Sequence, residues 1–410
     1  MPRLPFAIVA TTAFFAFGCD DSSPSGAGGA AGGGIGEPSA VYPAPHPDAP
    51  TIVNRGGALF AAPKIQPIFF QSDDPATRAA LTSFMTELGS TSYWHDVTSE
   101  YGIGPAWMLP PIVVAEMPVS PVDNPQIQTW LAGKLNGGAP GFPPEDGNTI
   151  YAIAYPPNIS VTYAGDGWLS CSNIIAWHDQ TALDAAHANA VAPFVVLPRC
   201  SPLFGAYGVS GTDLLTRALS HELIETTTDP YVDTTPAFGA LDSAHAFYGA
   251  LFGNELGDLC DFAPDNPESL AISGVGVVQR TLSNTAALAG HDPCVPATPG
   301  PYFNAVPVLP DMLDKGNGVK IPAGMSRTID VKLFSDAPTT GPFTVSATEL
   351  PVFGAGTSLG FSFDKNAGEN GQTLHLTITV LQPGPNNYEV FRLRSILGGR
   401  ATYWFGLVGN

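Results

Sequence analysis

An α+β domain followed by an all-β sandwich is the fold class that this sequence predicts. Three observations carry it. Gly (45) and Pro (41) fill about a fifth of the 410 residues, which favours turns and short strands over a helical bundle or coiled coil. Helical spacing and short apolar runs interleave up to about residue 296, and from about residue 306 strict alternation takes over. Hydrophobic residues make up 44% of the chain, enough to fill a core, so disorder throughout is excluded. Charged residues are only 13%, with 36 acidic against 16 basic and a net charge of −20. No basic stripe exists for a phosphate backbone, which excludes nucleic acid as a partner.

The first nineteen residues read as a targeting segment. Arg3 supplies a positive start, and the apolar run 4–17 is too short to span a bilayer but suits a signal peptide. Ala16-Phe17-Gly18-Cys19 matches a bacterial lipoprotein box with Cys19 as the lipidated residue, although the box usually has Leu at the position of Ala16 and a small residue at that of Phe17. An ordinary secretory signal is the alternative. Residues 20–50 read as a linker; 20–34 is almost wholly Asp, Ser, Gly and Ala, a composition that stays solvated. The expected location is the cell envelope or exterior, with membrane contact through the N-terminal lipid only.

Residues 51–296 form the expected α+β domain. KIQPIFFQ (64–71) and TIYAIAY (149–155) read as strands. Helical spacing runs through 74–88, where Gly89 gives a stop, and through 124–135. The clearest helix is 212–226, with Leu214, Leu215, Ala218, Leu219 and Leu223 on one side. Ser210 or Thr212 can cap its start, and Asp229-Pro230 ends it, because the residue before proline avoids the helical region. After a linker at 297–305, residues 306–410 alternate as Ile329, Val331, Leu333 and as Leu374, Leu376, Ile378, Val380. Six or seven antiparallel strands there predict an immunoglobulin-like sandwich.

With Cys19 carrying lipid, four cysteines remain, an even number in an exported chain. Three pairings are open, and nearest neighbours are favoured: Cys171–Cys200 and Cys260–Cys294. Each would close a loop of about 30 residues and stabilise by about 3 kcal/mol on the chain-entropy account. No CxxC pair supports a cysteine zinc site.

The chemistry concentrates in Ser220-His221-Glu222-Leu223-Ile224-Glu225 on the 212–226 helix. His221 and Glu225 are four apart and project from one face, able to hold one ion between them. Glu222 lies about 100° round the helix, where zinc peptidases place the base that polarises metal-bound water. The pattern is HExxH with the second histidine replaced by glutamate, which predicts a zincin-like site for zinc or another divalent cation. A third ligand is expected from Glu255 or Asp258, just before Cys260. Asp229 is a further candidate, for which a turn or cap is the plainer role. An exposed i,i+4 polar pair is the bland alternative for His221 and Glu225. His178, beside Trp177, reads as a packed or exposed histidine, and His46, His95, His187, His245 and His291 read as surface positions. No GxSxG elbow, P-loop or GxGxxG after a strand is present.

Ser220-His221-Glu222-Leu223-x-Glu225-x-x-Thr228-Asp229-Pro230, followed by Glu255-Leu256-Gly257-Asp258-Leu259-Cys260, resembles the phosphate-induced (EXORDIUM-like) family of secreted proteins. Further matches are Ser90-Thr91-Ser92-Tyr93-Trp94, Tyr101-Gly102-Ile103-Gly104, Ile150-Tyr151 to Tyr155-Pro156-Pro157, and Cys171 with Trp177-His178. The likeness runs from about residue 55 to 294 and leaves out the sandwich and the N-terminal segment. It implies secretion and a zincin-like helix, and it names no substrate. Three functions are therefore in view. One is a metal-dependent hydrolase, most plausibly a peptidase, with His221, Glu225 and Glu255 or Asp258 as ligands and Glu222 as base. The others are a noncatalytic envelope module with a structural metal, and a binder of surface polysaccharide or extracellular protein. Only the hydrolase needs Glu222 where it stands.

Overall fold

Strands and helices alternate through the first half of the chain, and that order builds a parallel sheet. The computed structural model describes residues 35–163, 168–172, 174–199, 209, 211–261, 269–350, 358–383 and 387–409. Cys19, Cys200, Ser210 and the expected signal segment lie outside them. Among the described residues, no helix is long and apolar enough to cross a membrane.

Lys64–Phe70 is the spine of the sheet. It pairs in parallel with Trp107–Met108 and Ile112–Val114 on one side and with Thr149–Ala154 on the other. Thr149–Ala154 pairs in parallel with Val191–Leu197, and Trp177–Ala182 closes that edge antiparallel. Because successive side chains point to opposite faces, Ile65, Phe69, Ile150 and Val195 enter one core while Ile68, Tyr151, Ile153 and Phe194 enter another. Both faces are covered by helices, so these strands read as continuous apolar runs. The domain is thus mixed α/β with a mostly parallel central sheet, where the sequence predicted α+β.

Helix α1 (Pro75–Leu88) starts at Asp74, whose carboxylate accepts the Thr77 amide, and carries proline in its first turn. With α2 (Ser92–Thr98) it packs Leu81, Phe84, Tyr93 and Trp94 on the first face. Helix α3 (Asn124–Asn136) opens with a capping box between Asp123 and Gln126 and covers the second face through Ile127, Leu131 and Leu135. Helix α4 (Thr212–Thr228) lies on the first face. Its N-cap is Gly211, with no side-chain cap, so Thr212 does not play the capping role expected of it.

The C-terminal region is a two-sheet β domain that begins at Phe303, slightly before the expected boundary. One sheet orders Phe303–Pro307, Ser326–Ser335, Thr373–Val380 and Leu359–Phe363. The other runs Asp311–Leu313, Gly316–Lys320, Arg400–Gly409, Tyr388–Leu397, Phe343–Leu350 and Ala367–Gly368. Pairing is antiparallel except between Gly316–Lys320 and Arg400–Gly409. The strand Arg400–Gly409 is buried along nearly its whole length because each face meets a different core. Trp404 and Val408 point between the two sheets, while Tyr403, Phe405 and Leu407 point into the α/β domain. Helix α5 (Ala246–Phe252) joins the two, since the Phe405 amide donates to the Tyr248 hydroxyl at 3.0 Å.

Residues 35–50, expected as linker, are instead strapped across the β domain. Thr373 donates its amide to Ile35, Ser39 donates to Asn370, and the His46 ring stacks on Phe334 at 3.7 Å. The chain then enters the α/β domain through the pairing of Ile52 with Leu241.

Candidate metal centre

Helix α4 is buried from Leu214 to Thr228 although more than half of that stretch is polar. A polar helix in such a place must satisfy its side chains locally or lose several kcal/mol per charge. Arg217 pairs with Asp261, both side chains almost fully buried. Ser220 donates to the Arg217 carbonyl at 2.7 Å and accepts the Gln279 amide at 2.9 Å. Thr227 and Thr228 donate back to Ile224. The Gln279 bond to Ser220 and a bond from the Val277 amide to Thr216 at 3.2 Å hold α4 against the strand Gly276–Gln279, and α4 also packs on Val191–Leu197 and Trp177–Ala182.

His221, Glu222 and Glu225 emerge from this buried helix toward the loop 253–260. Gln279 fixes the histidine. Its amide nitrogen donates to the Gly257 carbonyl at 2.7 Å, so its oxygen faces His221 Nδ1 at 3.0 Å as an acceptor. In the neutral ring Nδ1 therefore carries the proton and Nε2 the lone pair, 3.0 Å from Glu225 Oε2 and 3.9 Å from Asp258 Oδ1. Glu225 is held as firmly, since its Oε1 accepts the amides of Gly257 (2.9 Å) and Asp258 (3.2 Å). Ligand atoms of His221, Glu225 and Asp258 all lie within 4.8 Å of one another.

A second group of three shares Glu225. His178, on the strand Trp177–Ala182, places Nδ1 3.3 Å from Glu222 Oε2 and 3.8 Å from Glu225 Oε2. Its Nε2 lies 3.2 Å from Glu255 Oε1. His178, Glu225 and Glu255 also fall within 4.8 Å of one another.

Burial and charge oppose each other throughout the cluster. Burial disfavours the imidazolium of His221, but Glu225, Glu222 and Asp258 hold its pKa well above the usual histidine value. Burial likewise opposes charge on His178, and Glu255 and Glu222 raise its pKa well above the usual value. Burial raises Glu225, with Glu255 and Glu222 adding to the rise and His221 opposing it. Asp258 is pushed well up by burial and by Glu225. Four carboxylates crowd one poorly solvated place, and positive charge there is strongly favoured.

Every residue expected at the site from the sequence is therefore brought together: His221, Glu222, Glu225, Glu255 and Asp258. They divide, however, into the His221 side with Asp258 and the His178 side with Glu255. Asp229 does not join them. It accepts the Ala237 amide at 2.7 Å and serves the turn after α4, as the plainer reading held. His178 is packed, as the sequence suggested, at 8% exposed, but what it packs among is the carboxylates. Gln279 was not anticipated either, and no local spacing marks it.

The loop is stapled from its far side. Cys260, two residues after Asp258, is bonded to Cys294 across 34 residues, as expected. Cys171 is disulfide-bonded too, and Cys200, its expected partner, lies outside the described residues. Cys294 itself sits in the strand Cys294–Val295 that pairs with Thr281–Leu282, and Leu282 donates its amide to Leu256 at 3.0 Å. Replacing Cys260 and Cys294 together by serine should lower stability by about 3 kcal/mol. It should also weaken metal binding, because Asp258 loses its anchor. Chemical denaturation and metal titration of the double variant check both effects; unchanged affinity would mean that the hydrogen bonds to Glu225 suffice.

No family model matches this chain, and no curated protein does. Among solved structures, domains 4 and 5 of the S-layer protein SbsC match 27% of this chain and 46% of their own length, at 16% identity and a TM-score of 0.19. The chain thus spans less than half of that fragment. A titin M10–obscurin-like 1 Ig complex (F17R mutant) matches over 27% and 90% at 18% identity and a TM-score of 0.17. A FixG-related protein from Vibrio parahaemolyticus matches over 27% and 95% at 7% identity and 0.19. At such scores the likeness says nothing of function.

Proposed function

We propose that this protein is an exported metal-dependent hydrolase, most simply a peptidase, whose catalytic domain is zincin-like and whose β domain is immunoglobulin-like. The resemblance to the EXORDIUM-like family and the lipoprotein box at Cys19 support export and an envelope anchor. The observation that carries the catalytic reading is the triad His221, Glu225 and Asp258 with Glu222 on the adjoining position of the same buried helix. A divalent cation such as zinc, held there, supplies Lewis acidity and lowers the pKa of a bound water.

The residues divide the work. Gln279 keeps His221 in the tautomer that presents Nε2, and the amides of Gly257 and Asp258 orient Glu225. Glu222 accepts the proton from the attacking water and returns it to the leaving amine. Glu255 and Asp258, with side chains 20% and 13% exposed, mark the side on which a substrate reaches the cluster. A noncatalytic module with a structural ion is the competing reading, favoured by the depth of His221 and Glu225. It gives Glu222 no proton to move.

The full chain, incubated with unfolded protein and mixed peptides, should show cleavage that a chelator abolishes and added zinc restores. No chelator-sensitive cleavage across such a screen would leave the structural-ion reading in its place.

A further inference from the structure

We infer that the centre holds two divalent cations, the second bound by His178, Glu255 and the same Glu225. This rests on the metal-centre reading above and extends it. The two triads share Glu225, and neither contains both histidines. Glu225 Oε1 is taken by the amides of Gly257 and Asp258. Oε2 alone is left to ligate, and it faces His221 Nε2 at 3.0 Å on one side, while His178 and Glu255 each bring a ligand atom within 4.8 Å of Glu225 on the other. That is the position of a bridging carboxylate, and bridged ions sit about 3.5–4 Å apart.

An independent observation marks the second position. His178 Nε2 and Glu255 Oε1 are buried atoms with no hydrogen-bond partner, although they face each other at 3.2 Å. The His178 side chain is only 4% exposed. In the neutral ring, with the Nδ1 proton shared with Glu222 Oε2 at 3.3 Å, Nε2 presents a lone pair. That lone pair and Glu255 Oε1 repel unless a cation joins them, and a divalent ion can take the place of the proton that Glu255 otherwise holds on His178. Glu222 then does for His178 what Gln279 does for His221: it fixes the tautomer that leaves Nε2 free.

The test counts ions in the full chain and asks whether they touch. Loaded with Mn2+ and desalted, the parent should hold two ions per chain and give the exchange-coupled paramagnetic resonance spectrum of a close pair. His178→Ala should fall to one ion with the six-line spectrum of an isolated Mn2+. Glu255→Gln, at the more exposed ligand, should do the same and serves if His178→Ala does not fold. His221→Ala should also keep one ion, now on the other side. One uncoupled ion in the parent, retained in His178→Ala and Glu255→Gln, would overturn the second position while leaving the first intact. No ion in the parent would overturn the metal-centre reading beneath it.

Discussion

Glu222→Gln is expected to leave the chain folded and metal-loaded while reducing hydrolysis by about 10³-fold or more. The magnitude is that of a lost general base beside an activated water. The substitution conserves size inside a site where Glu222 is 5% exposed, so overpacking and cavity costs are avoided. Its oxygen can still accept from His178 Nδ1, which lies 3.3 Å from Glu222 Oε2 in the parent. What disappears is the basic oxygen. Glu225→Gln should behave differently, because Glu225 is a ligand in both triads: metal occupancy falls first, and activity follows from it. Activity and metal content measured on the same preparations separate the two. Parent-like turnover in Glu222→Gln would remove Glu222 from the mechanism, and parallel loss of metal would make it a ligand.

Gly257→Ala should damage the site as severely by adding one methyl group. The backbone there is ordinary, with φ −71° and ψ −39°, so alanine meets no conformational barrier. A Cβ would stand 2.6 Å from His221 Nδ1, 2.7 Å from Cε1 and 2.8 Å from Glu225 Oε1. None of these can retreat cheaply. His221 is held by Gln279, and Glu225 Oε1 is bonded to the amides of Gly257 and Asp258. Crowding of this kind costs about 1–3 kcal/mol in stability. Displacing both ligands should weaken metal binding by about 100-fold or more, the upper range for disturbed support of a metal ligand. Gly133→Ala is the control. It lies on α3, and no atom comes within 4 Å of its added Cβ. Alanine there should stabilise slightly and leave metal binding unchanged. Equal metal affinity in Gly257→Ala and the parent would mean that His221 and Glu225 are not ligands.

Helix α4 was legible because its chemistry is local. His221 and Glu222 are neighbours on one helix with Glu225 one turn on, and Glu255 and Asp258 stand out beside a cysteine in a disulfide. Strand and helix types were legible for the same reason, in the apolar run at 64–70 and the alternation at 373–380. Partners set by pairing were not. His178 reaches Glu222 only because Trp177–Ala182 pairs antiparallel with Val191–Leu197 at the sheet edge beside α4, and nothing in WHDQTA encodes that register. Gln279 likewise acts through the close approach of its strand to α4. The parallel order of the central sheet escaped because buried strands of either sense read as the same apolar run. Residues 35–50 looked like linker because their Pro-rich composition lacks periodicity; what holds them is hydrogen bonding to Asn370 and neighbouring backbone, far away in sequence. The sequence marked 403–407 only as one more strand; that the β domain is buried on an outer face follows from tertiary contact, through Phe405 and Tyr248.

Divalent metal content tests the central claim most directly. The full chain and Glu225→Gln would be purified without chelator, equilibrated with zinc, dialysed against metal-free buffer and analysed for elements. The account predicts bound zinc in the parent and its loss in Glu225→Gln, with the fold of both verified by circular dichroism. Equal, near-zero metal in two folded proteins would contradict it.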